Sequence, residues 1–250
     1  MPKKSQKNTT IIGELHNEYC KKYNSKNACE NFELPKIPCL YNRLVDAYKQ
    51  QKNTCCSSSK QNWRYEVQPN ISIQNKGEKV LEKDVVIKRT PEADWANQVP
   101  IASGVFSSTA DKKRAVDLVH KVNNDAYEYE FIELKTELKT DNPVYAALEI
   151  LLYGIVYVFY RKYAMEQYEK NKEKDLPLAT SVVLVVAAPK EYYEGYELKK
   201  FEDELSKNLR EWVTTVLPNF SMTFRFDSFK YSANSRENVD NFLHKTSLFN

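Results

Sequence analysis

Asp117, Glu133 and Lys135 stand at spacings that would let them act together. Asp117 and Glu133 are equidistant from Asp125, which closes the polar stretch Asn123 to Asp125. A hairpin turning there sets the two carboxylates opposite each other on one face, with Cβ atoms about 5 Å apart. Lys135, two residues beyond Glu133, shares that face. Two carboxylates so close repel by roughly 4 kcal/mol at an effective dielectric of about 20. A divalent cation relieves the repulsion, and hard oxygen ligands suit Mg²⁺ or Mn²⁺. Such an ion acidifies bound water and steadies a phosphate oxygen, while a neighbouring lysine orients the nucleophile or offsets developing charge. Hydrolysis of a phosphodiester needs this set.

The elements that must position these residues begin near Gly77. Glu78 to Lys88 reads as a helix, although Val85, Val86 and Ile87 would also suit a strand. Pro100 to Phe106, Ala115 to Val122 and Tyr129 to Thr136 read as three strands, the second alternating Val116, Leu118, His120 and Val122 with Asp117, Val119 and Lys121. Asn142 and Pro143 mark the N-cap and first position of a long helix running to about Glu169. Ser181 to Ala188, apolar throughout between Pro177 and Pro189, predicts a strand buried on both faces. Leu198 to Leu217 predicts an amphipathic helix with Phe201, Leu205, Leu209, Trp212, Val213 and Val216 inward, and Phe220 to Phe226 a final strand. The order α-β-β-β-α-β-α-β implies an α/β fold with a mixed sheet flanked by helices.

The runs Arg114 to His120 and Tyr129 to Lys135 together resemble the D…(D/E)-x-K signature of the PD-(D/E)XK, or restriction-endonuclease-like, nucleases. The family core is a helix, three antiparallel strands, a helix and a further strand, which the predicted order follows. The resemblance spans residues 78 to 190 and implies that Asp117 and Glu133 bind the metal and that Lys135 is the family lysine. Glu149 and Tyr153 resemble the Q-x-x-x-Y element of one nuclease subgroup and share a helix face. The first helix of many members adds a carboxylate, here Glu82, with Glu78 close behind. Val116 stands where the family name has Pro, and Glu149 where that element has Gln, which opens a metal or Lys135 contact there. The implied activity is Mg²⁺- or Mn²⁺-dependent cleavage of DNA, with Asp117, Glu133, Lys135, Glu82 and Glu149 in the site. A non-catalytic nucleic-acid-binding or assembly subunit of nuclease-derived fold, and an RNA-cleaving effector, remain as alternatives.

Blander readings bear on the same residues. A Glu-x-Lys on an exposed strand is ordinarily a solvated pair, but Phe131, Ile132 and Leu134 make this strand a buried one, where charges need partners. His120 alternates onto the face opposite Asp117 and reads as structural or surface, and Lys190 as a surface lysine. Cys20, Cys29, Cys39, Cys55 and Cys56 contain no C-x-x-C pair and read as reduced and unligated. Tyr153, Tyr157 and Tyr160, at helical spacing, read as core.

Bulk properties restrict the rest. The 250 residues are 42% hydrophobic, and 37 basic residues nearly balance 34 acidic ones, so net charge (+3) neither requires nor excludes a nucleic-acid partner. No signal-like apolar run follows Met1 to Ser5, and with the odd cysteine count this predicts a cytoplasmic protein. Val144 to Tyr160 is apolar but for Glu149, and a carboxylate at mid-bilayer is costly, so a core helix and no membrane partner are expected. Residues 1–75 read as a partly helical N-terminal extension with a helix over Leu40 to Gln51, 76–230 as the nuclease-like domain, and 231–250 as a C-terminal tail. Oligomeric state is left open, a homodimer included.

Overall fold

The computed structural model describes residues 10–23, 32–51, 62–68, 77–102, 114–123, 125–136, 141–163, 176–232 and 235–249. Among the described residues six α-helices, α1 (Ile11–Leu15), α2 (Ile37–Gln51), α3 (Glu78–Lys88), α4 (Pro143–Tyr163), α5 (Lys199–Val216) and α6 (Ser235–Leu243), flank one sheet. Its strands are β1 (Trp95–Pro100), β2 (Ala115–Asn123), β3 (Glu128–Leu134), β4 (Ser181–Pro189), β5 (Ser221–Phe229) and β6 (Thr246–Ser247), adjacent in chain order. β1, β2 and β3 run antiparallel, β4 and β5 join β3 in parallel, and β6 closes the far edge antiparallel to β5. The protein is therefore α/β with a mixed, open six-stranded sheet.

Two apolar layers hold the sheet. On one face Val119, Phe131, Leu184 and Phe226 pack with α1, α2, α4 and α5. On the other, Leu118, Ile132, Leu134 and Val185 pack with Leu81, Val85 and Val86 of α3 and Val239 and Phe242 of α6. β4, central and parallel to both neighbours, is the doubly covered strand that its continuous apolar run predicts. The inner face of α5 is also as predicted, save that Val216 is only half-buried.

α4 starts as its sequence demands. Asn142 Oδ1 accepts the Tyr145 amide at 3.0 Å, and Pro143 occupies the first turn. The helix is long and apolar enough to cross a membrane, yet it lies between the sheet and α2 with residues 143–160 buried apart from Tyr145 and Glu149. It is a core helix. The expected continuation to Glu169 lies outside the described residues beyond Tyr163.

Three expectations are corrected. The described first strand is Trp95–Pro100, ahead of the expected Pro100 to Phe106, of which Ile101 and Ala102 lie beyond the strand and residues 103–106 lie outside the described residues. Ala96 and Val99 are buried and Trp95 stacks on His120; Pro100 has no N–H to donate, and beyond it the Ile101 amide makes one more bond, to the Arg114 carbonyl at 3.2 Å. The described parts of 1–75 are built into the main core: Ile12, Leu15, Leu44 and Trp63 are fully buried, and Trp63 stacks on Phe131. Charged and polar neighbours masked these few large anchors in the sequence. The 231–250 segment likewise forms α6 and β6 rather than a tail, with Phe242 buried.

Candidate active site

β2 and β3 pair with Leu118 opposite Ile132 and Val119 opposite Phe131, the register that a turn at Asp125 predicts. The ladder stops there. One residue further, the strands part and the Asp117 carboxylate accepts the Leu134 amide through Oδ2 at 3.1 Å. The side chain thus replaces a ladder carbonyl, which pins the carboxylate beside the Glu133–Lys135 backbone.

Asp117 Oδ1 faces the other way, taking Lys79 Nζ at 3.2 Å and Gln98 Nε2 at 3.1 Å. Lys79 also reaches Glu82 Oε1 at 2.8 Å, and Gln98 reaches Glu82 Oε2 at 2.7 Å. Gln98 stands across from Asp117, between the pairs Asn97–Leu118 and Val99–Val116. Its φ of 48° is in the left-handed region, which costs a non-glycine residue about 1–3 kcal/mol.

Lys135 completes the constellation. Its ammonium lies 2.8 Å from Glu133 Oε1, 3.2 Å from Asp141 Oδ2 and 4.0 Å from Glu78 Oε2. Asp141 in turn accepts the Tyr192 hydroxyl at 2.6 Å. On α4, Glu149 Oε1 accepts the Tyr153 hydroxyl at 3.1 Å, as the four-residue spacing requires, and lies 3.2 Å from His16 Nε2. Tyr145 meets the same histidine nitrogen at 3.2 Å.

The electrostatics are those of crowded carboxylates. Burial, then the Asp117 charge, pushes Glu82 up to about 8 against the pull of Lys79. Burial pushes Glu78 up to about 7 although Lys135 draws it down. Glu133 is pushed well above the usual range by burial and by Asp117. Burial opposes the charge on Lys135, but Glu133, Asp141, Glu78 and Asp117 outweigh it and hold the proton firmly. Burial alone would raise Glu149; its bond to His16 and the charge of Lys135 hold it below the usual range.

The structure therefore brings Asp117, Glu133, Lys135, Glu82 and Glu149 into one region, with Glu78 alongside. Sequence reasoning missed Lys79, Gln98, Asp141, Tyr192, Tyr145 and His16. Lys79 carried a faint signal, three residues before Glu82 on the same helix face. His16 carried none. His120 faces the other layer, stacked on Trp95 and 3.1 Å from Glu130, and Lys190 is exposed. Cys20 and Cys39 are free thiols, and Cys29, Cys55 and Cys56 lie outside the described residues.

Among the described residues, no three His, Cys, Asp or Glu side chains are grouped to hold a metal ion by themselves. Mg²⁺ does not need such a cage, because it keeps several waters and uses one or two carboxylates plus substrate phosphates. Asp117 and Glu133 offer hard oxygens amid a surplus of negative charge, so the donor set fits Mg²⁺ or Mn²⁺. In comparisons with protein-family models, curated proteins and solved structures, nothing matches the chain.

Proposed function

We propose that this protein is a metal-dependent nuclease of the PD-(D/E)XK, restriction-endonuclease-like kind, hydrolysing phosphodiester bonds in DNA. The observation that carries the reading is the parting of β2 and β3, where Asp117 is fixed on the Leu134 amide beside the Glu133–Lys135 ion pair. The order α3-β1-β2-β3-α4-β4, antiparallel and then parallel, supports it because it follows that family's core.

Asp117 and Glu133 would hold Mg²⁺ or Mn²⁺, which supplies an acidified water and charge stabilisation at the phosphate when bound. Lys135, kept protonated and aimed by Glu133 and Asp141, offsets charge developing on the phosphate oxygens. Glu82 and Glu149 support the site by holding Lys79 and His16 in place. The setting would be cytoplasmic and the partner nucleic acid.

A second reading is a nuclease-derived fold retained for nucleic-acid binding or assembly. It draws on Lys79, which already supplies a positive charge to Asp117. The test is cleavage of plasmid and linear DNA, and of RNA, by wild type, Asp117→Ala and Lys135→Ala with Mg²⁺ or Mn²⁺. Cleavage by wild type alone supports the nuclease. RNA cleavage without DNA cleavage makes it an RNA-cleaving effector, and equal behaviour of the three proteins sinks the reading.

A further inference from the structure

We propose that Lys79 is a built-in competitor for the divalent cation: its ammonium holds the Asp117 carboxylate, and metal binding displaces it. The inference rests on the metal-dependent reading and concerns how that site is loaded.

A carboxylate offers about four acceptor positions on its two oxygens. Asp117 Oδ2 is turned to the Leu134 amide, inside the fork of the strands. Oδ1 is already shared by Lys79 and Gln98. A cation approaching Oδ1 must therefore remove one of them.

Gln98 is the harder to move. Its amide is tied to both Glu82 and Asp117, and its backbone is part of β1. Lys79 is the easier, with a side chain 43% exposed on α3, so rotation about its stem returns the ammonium to water. Glu82, whose side chain is fully buried, keeps the Gln98 amide when the lysine leaves. Lys135 contrasts with this arrangement: its side chain is 10% exposed and gripped by Glu133 and Asp141, so it stays. One lysine is fixed and the other is exchangeable.

The test uses the full chain stripped of metal, titrated with Mn²⁺ by calorimetry, as wild type and as Lys79→Met. The variant should bind Mn²⁺ on the order of tenfold more tightly than wild type. A second measurement needs no variant: amine acetylation followed by mass spectrometry, with and without saturating Mg²⁺. Lys79 should be modified several-fold faster with metal bound, while Lys135 stays protected. If wild type binds Mn²⁺ but Lys79→Met binds it equally or more weakly, or Lys79 labelling is unchanged by metal, the competitor role is wrong and the nuclease reading survives. If neither protein binds Mn²⁺, both fall together.

Discussion

The His16 imidazole lies 3.2 Å from the Glu149 carboxylate, joining residues 133 positions apart in the chain. α1 and the turn that follows it thus reach the candidate site itself, since Glu149 lies within the electrostatic range of Glu133 and Lys135. Removing the imidazole strips a half-buried carboxylate of one of its donors. His16→Ala should lower the unfolding free energy by about 2 kcal/mol, and His16→Gln should recover part of that through its amide. Urea denaturation of the three proteins checks this, and identical midpoints for wild type and His16→Ala would refute it.

Glu130, on the same strand as Glu133, gives a pH dependence of its own. Burial would raise its carboxyl, but the His120 hydrogen bond and the charges of Lys245 and Arg225 outweigh burial and hold it well below its ordinary 4.5. A depressed folded value means stability present above about 4.5 and lost as pH falls through the folded value. Glu130→Gln should cost about 2 kcal/mol at neutral pH by leaving the half-buried Arg225 and Lys245 to share Asp227. The gap between variant and wild type should narrow on acidification to about pH 3. Denaturation at both pH values decides, and a constant gap would count against the ion-pair account.

Gly154 marks the closest approach of α4 to the sheet. A Cβ there would lie 2.7 Å from Leu184 Cδ1 and 3.1 Å from Met222 Sδ. Alanine would gain about 1 kcal/mol of helix propensity and lose a similar amount to crowding, for little net change. Gly154→Val adds two further methyl groups and should destabilise by about 2–3 kcal/mol. Thermal melts of both variants test it; a valine variant as stable as wild type would mean that the interface can open.

How much of this was legible in the sequence depended on whether the cause was local. α3 spans the residues its pattern predicts, because helical periodicity and caps are short-range. The β2–β3 register followed from one turn. Asp117 and Glu133 were singled out by that register together with the D…E-x-K pattern and the strand order. β1 was misplaced by several residues because the apolar run after Pro100 has the better strand composition, while Trp95–Pro100 is selected by stacking on His120 and by Asp117 across from Gln98. His16, Asp141 and Tyr192 could not be found, since each enters the site only after remote segments pack together. The same holds for Trp63, whose anchoring in the core depends on Phe131 and Tyr157.

The left-handed backbone at Gln98 is strain that its side chain offsets. Glycine there would remove a conformational penalty of about 1–3 kcal/mol, but it would also take the amide from Glu82 and Asp117, two hydrogen bonds to carboxyl groups of about 1.5–3 kcal/mol each. The lost bonds outweigh the relieved strain, so the usual stabilising exchange of a left-handed residue for glycine fails at this position. Residue 98 is tied to scaffold and site at once, and engineering of either has to leave it in place.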